Sequence, residues 1–228
     1  KQQGLVIRQI RLIQDNYYTM EGSMRKRTMV GGALPVELTV EIDCDLDDAA
    51  LNALLLNAIA ASPITGLMRG KLETLFALSK NSCQIELGKS KPIEGLLYGD
   101  PENKFDGYEA KGSALNEPIV EPVGVTPKKE IPGGTSAAGS SLADEQSRTL
   151  NIGGICTLRE DGIKEITQLQ YSPHGTSFKL FSEEAELNGG QGRAPDANTY
   201  ISAGVAFCFM TQFGRFVKML DLDLKEYR

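Results

Sequence analysis

The chain has 228 residues, 41% of them apolar, with four cysteines, one histidine and a net charge of -6; that is enough to bury one good core or two small ones. Its basic residues are spread rather than clustered, which leaves no electrostatic footprint for nucleic acid or anionic lipid. No apolar run reaches the ~18 to 20 residues of a membrane span, and the well-separated cysteines, with no CxxC and a lone His174, offer no zinc spacing.

The expectation is therefore a cytoplasmic protein with reduced thiols and neither metal nor cofactor. Lys1 is no initiator and no apolar leader follows it, so the chain reads as a fragment.

In chain order, "LVIRQIRLI" and "PVELTVEID" read as strands, with β-branched residues at period two. "DLDDAALNALLLNAIAAS" reads as a helix, with Asp45 as N-cap and apolar residues around most of its circumference, so it is expected to lie in a core. Ser62 and Pro63 then form a Ser N-cap with Pro at the first helical position of a short helix, "PITGLMRG". "LETLFALS" and "CQIEL" close this region as a pair of strands turning at Asn81 and Ser82.

Residues 89–148 hold six of the ten prolines and no apolar period, and read as a linker or wrapping segment. From Thr149 onward, "TLNIGGICTLRE" and "IKEITQLQYS" flank Asp161-Gly162, a pair suited to a two-residue hairpin turn. "TSFKLFSEE" adds a third strand, the polar loop "LNGGQGRAPDAN" follows, and a long helix spans 199–220 before "DLDLKEYR" opens another strand. The loop's glycines lack the following GKS or GKT of a phosphate-binding loop.

Grouped strands with few helices imply an α+β protein with antiparallel sheets packed on a long central helix, and helix 199–220 is expected to be its most buried element. On pattern alone, Cys208 among Val205, Phe207 and Phe209 reads as a buried small apolar residue. Cys44, Cys83 and Cys156 fall in or beside strands, and His174 in "SPHG" sits in a turn.

"PDANTYISAGVAFCFMTQF" resembles the central helix of the OsmC/Ohr family, the osmotically inducible and organic hydroperoxide resistance proteins, with Cys208 in the place of the reactive cysteine. "VELTVEIDCDLDDAALNALLLNAIAASPITGLMRG" is similar to the family's second half, with Ser62-Pro63 where a Cys-Pro pair would stand. Residues 1–88 would then be a second half, 89–148 the linker and 149–228 a first half, as in the middle of a tandem of two OsmC-like units or in a circular permutation.

The resemblance implies thiol-dependent reduction of an organic hydroperoxide with a dithiol reductant, in a homodimer or an intertwined tandem. It also implies an arginine to lower the cysteine's pKa, oriented by a glutamate ten positions before the cysteine. Counting back ten from Cys208 gives Asn198, which pairs no full charge with a guanidinium, and Ser62 forms no disulfide. Arg193 and Arg159 are the candidate arginines. The alternative is a non-catalytic OsmC-like domain that acts in assembly or binds an apolar ligand.

Overall fold

In a computed structural model describing residues 6–70, 73–94, 115–129, 145–172 and 175–225, the longest strand is β1, Ile7–Gly22. Its residues alternate between the two faces of the sheet, and its two edges take different partners. One edge pairs with β2 (Val30–Ala33) and β3 (Glu37–Cys44), the other with β7 (Gln146–Leu158). β8 (Lys164–Ser172), β9 (Thr176–Ser182) and β6 (Val120–Val125) extend the sheet to seven strands, with every neighbour antiparallel. The segments read as half-units thus share one sheet: Arg11 to Gly22 of β1 lie against Thr157 to Gln146 of β7.

Register sorts the sheet into two unlike faces. Leu12, Val40, Cys156, Ile166 and Leu180 follow one another across the strands on an apolar face. On the opposite face Arg11 pairs with Glu41 at 2.8 Å and Lys179 with Glu121 at 3.1 Å. Phe181 lies under this polar layer with Arg159 5.5 Å and Lys179 5.2 Å from its ring centre. Among the described residues, Phe181, Ile163 and Met24 are the buried apolar side chains.

Compactness divides the chain into Lys1–Asp47 with Gly112–Arg228, which hold this sheet, and Asp48–Lys111. The second unit contains α1 (Asp48–Ala61), α2 (Pro63–Arg69) and the antiparallel ribbon β4 (Leu78–Lys80) and β5 (Cys83–Ile85). Ser62 caps α2 as its sequence implies, the Thr65 N–H donating to Ser62 Oγ at 3.2 Å. Asn81 and Ser82 turn the ribbon with φ of 51° and 65°, the left-handed pair of a tight hairpin. No single described helix is long and apolar enough to cross a membrane; α1 and α2 pass that test only as a pair bent by 72°, by length and composition.

Several expectations are corrected. α1 opens at Asp48, so Asp45 is no cap; it pairs with Arg8 at 2.5 Å instead. α1 has no buried residue, although its all-round apolar surface reads as a core helix. The stretch 89–148 contains β6, whose valines alternate with Glu121, Pro122 and Gly124; proline is tolerated because β6 is an edge strand.

The β7–β8 turn is not a two-residue one. Gly162 alone takes positive φ, 88°, and its N–H donates to Arg159 O while Arg159 N donates to Ile163 O, the pattern of a three-residue loop with a glycine bulge. No strand forms within 221–225.

The largest departure concerns the C-terminal helix α3, Ala197–Met219, which the sequence places at the centre of the core. None of its residues is buried. Phe207 is 71% and Val205 64% exposed, so the chain by itself leaves the helix's apolar surface uncovered.

Candidate functional site

α3 begins where three contacts fix it. Asp196 caps it by accepting the Thr199 N–H at 2.8 Å. The Tyr200 hydroxyl donates to Phe181 O at 2.5 Å, tying the first turns to β9. The preceding loop is held by Glu183, which accepts from Arg193 N at 2.9 Å, Nε at 3.0 Å and Nη2 at 2.5 Å. Arg193 also donates to Asp161 O at 3.0 Å.

These contacts give Arg193 a structural task. The hydrogen bonds from Arg193 hold the Glu183 carboxyl below its ordinary value of 4.5. Because the folded value is the lower one, the stabilisation is fully present above the unfolded value and is lost as pH falls through the folded one. Wild-type stability is therefore expected to fall more steeply than that of Glu183→Gln when denaturation is compared at neutral pH and below pH 4.5. Equal slopes would remove Glu183 from the account of acid sensitivity.

Within the sheet unit, Asn198 and Arg193 do not converge on Cys208. Asn198 is in the first turn of α3 beside Asp196, and ten residues of helix rise put it roughly 15 Å from Cys208. Arg193 is committed to Glu183 and Asp161, and Arg159 to Glu117 at 2.8 Å and Asp161 at 3.3 Å. Neither arginine is free to pair with a thiolate. Ser62 belongs to the separate compact unit and serves as a helix cap, while His174 lies outside the described residues.

Cys208 itself is exposed, midway along α3. Its electrostatic neighbour on the sheet is Tyr18 of β1, whose phenol is held above its ordinary value by burial and then by the charge of a Cys208 thiolate. Tyr18 shares the apolar face with Met20, Leu150 and Arg148, since Tyr18 pairs with Leu150 and Met20 with Arg148. α3 is thus tied to β9 through Tyr200, and further along it the charge of Cys208 reaches Tyr18 of β1.

Cys156 is half-buried on the same face, and burial pushes its thiol up against a smaller opposing effect of Lys164, which makes it a poor nucleophile. Among the described residues no group of His, Cys, Asp and Glu is arranged to hold a metal ion.

Sequence reasoning missed Tyr18, Arg148 and Arg215. Arg215 follows Cys208 by seven residues, two helical turns, and so shares its stripe. Arg148 precedes Leu150 and Ile152 at period two, which places it on the apolar face once β7 is recognised as starting at Gln146.

Fold and site together define a mixed α+β protein: an antiparallel sheet with one polar and one apolar face, and a single long C-terminal helix carrying an exposed thiol. No protein-family model, curated protein or solved structure matches the chain.

Proposed function

We propose that the protein reduces organic hydroperoxides through Cys208 in an OsmC-like fold, at the expense of a dithiol. The observation that carries this reading is the position of Cys208: a solvent-accessible thiol in the middle of a long apolar helix, within electrostatic reach of Tyr18. Such surroundings admit an apolar peroxide to the sulfur.

The Cys208 thiolate attacks the terminal oxygen of R–O–OH; the O–O bond breaks, the alkoxide leaves and takes a proton to become an alcohol, and the sulfur becomes a sulfenic acid. A dithiol then displaces water from that sulfenic acid, and its second thiol releases Cys208 as a thiol, leaving the reductant as a disulfide. This external thiol does what Ser62 in the Cys-Pro position does not.

The exposure of α3 favours a second reading, in which the chain is an assembly module. Under the catalytic reading too, the uncovered face of α3, with Phe207 71% exposed, is closed by a second copy in a homodimer or by the intertwining of tandem units.

Turnover separates the two readings. The catalytic one expects protein-dependent consumption of cumene hydroperoxide with dithiothreitol, and a dimer that turns over no peroxide would leave the assembly module as the better description.

A further inference from the structure

Lys129, on the chain that leaves β6, is held over the polar face of the sheet by a carboxylate and a ring. Its Nζ is 3.4 Å from Asp15 Oδ1 of β1 and 4.6 Å from the centre of the Tyr171 ring of β8. The stem of this segment is fixed. Buried Thr126 donates its N–H to Gly175 O at 2.9 Å, while its Oγ1 accepts the Gln170 N–H at 2.9 Å and lies 2.7 Å from Ser177 Oγ. Residues 126–129 thus form a strap that is tight at Thr126 and loose at its tip. A charge-assisted N–H···O bond runs at about 2.7–2.9 Å, shorter than the Lys129 contact, and the Lys129 side chain is 43% exposed against 20% for Asp15.

The recess under the tip comes from local departures from a regular sheet. Tyr171 is the extra residue of a bulge in β8, opposite Asn151 and Ile152, and bulges re-aim side chains. Gly153, the register partner of Asp15, leaves the room that the ring takes: a Cβ there would be 2.7 Å from Tyr171 Cε2 and 3.2 Å from Asp15 Oδ1. Asn151, 0% exposed, donates through Nδ2 to the same Asp15 oxygen at 3.0 Å and to Asn16 O at 3.3 Å. Its own Oδ1 is buried with no hydrogen-bond partner among the described residues. Glu37, which pairs with Asp15 from β3, adds a second carboxylate. A carboxylate, a buried amide oxygen and an aromatic face have one preference in common, a cation that carries N–H donors. Lys129 supplies that group from the chain itself, through a slack contact.

We propose that Asp15, Tyr171 and Asn151 form a binding site for a primary alkylammonium group, which Lys129 occupies as a built-in competitor and an external amine displaces. The site is on the sheet face opposite Tyr18 and stands without the peroxidase reading.

The test is titration of the whole chain with n-butylammonium, followed by NMR at the Tyr171 ring and the Gly153 amide, with 1-butanol as the uncharged analogue. Lys129→Met removes the competitor and is expected to bind n-butylammonium roughly tenfold or more tightly than wild type. Asp15→Asn, added to Lys129→Met, is expected to abolish that binding, and butanol to bind neither protein. Nα-acetyl-lysine methylamide separates the two sources of such a group: tighter binding than n-butylammonium assigns the site to a lysine side chain of a partner, weaker binding to a free amine. Lys129 is exposed at the strap's tip, so the comparison of Lys129→Met with wild type decides the matter even if Asp15→Asn fails to fold. A Lys129→Met protein that binds n-butylammonium no better than wild type would make Lys129 a structural clip and overturn the proposal. Butanol bound as tightly as n-butylammonium, or a folded Asp15→Asn double variant with undiminished binding, would do the same.

Discussion

Cys208→Ser is expected to abolish all protein-dependent consumption of an organic hydroperoxide, while Cys83→Ser leaves it intact. Only a thiolate attacks the peroxide oxygen at neutral pH, and a serine hydroxyl neither ionises there nor forms the sulfenic acid from which a dithiol displaces water. Both substitutions replace exposed thiols, so neither removes a buried side chain and loss of fold does not confuse the comparison. Cys83 is in the ribbon β4–β5 next to the tight turn at Asn81 and Ser82, in the other compact unit and on no helix. Cys156 has a thiol pushed up by burial and does not substitute for Cys208. Equal turnover by wild type and Cys208→Ser would transfer the weight to the assembly reading.

Phe181→Ala is expected to destabilise the sheet unit by about 3–5 kcal/mol, the cost of truncating a large aromatic in a filled interior. Its side chain is 0% exposed, one of only three buried apolar residues among those described, so little else can compensate. The loss would also reach the helix. Tyr200 anchors α3 to the Phe181 carbonyl, and a β9 backbone shifted by the cavity loosens that bond. Phe207→Ala, at a side chain 71% exposed, is expected to change the stability of an isolated chain by no more than about 0.5 kcal/mol. Denaturant titration checks both, and a Phe181→Ala loss below about 1 kcal/mol would contradict the burial on which the anchoring rests.

The sequence made local features legible where a residue's own chemistry determines the backbone. Ser62-Pro63 announces the start of α2, Asn81-Ser82 a tight turn, and the alternation in "PVELTVEID" a half-exposed strand. Long-range features were harder. That β1 lies against β7, more than 120 residues away, follows from register between two surfaces that no local period encodes. β2, with the sequence Val-Gly-Gly-Ala, has too few side chains to show a period at all.

The two helices read as core elements misled for a common reason. Apolar composition reports that a surface needs a cover and not which chain supplies it, and neither α1 nor α3 has a buried residue. The exposure of α3 is also the observation that counts most against the OsmC/Ohr likeness when the chain is taken alone. The candidate site was half legible: Cys208 stood out through its helix, whereas Arg193 drew attention by nearness in sequence and proved bound to Glu183. Tyr18 and Arg148 come from strands whose facing is fixed only by pairing, and local pattern could not bring them to the helix.

Trapping of the oxidised cysteine tests the central claim most directly. The protein is treated with one equivalent of cumene hydroperoxide in the presence of a cyclic 1,3-diketone that captures sulfenic acids, and its peptides are mapped by mass spectrometry. The account predicts a diketone adduct on the peptide containing Cys208, with Cys44, Cys83 and Cys156 unmodified. An unmodified Cys208, or an adduct that forms on Cys83 instead, would contradict it.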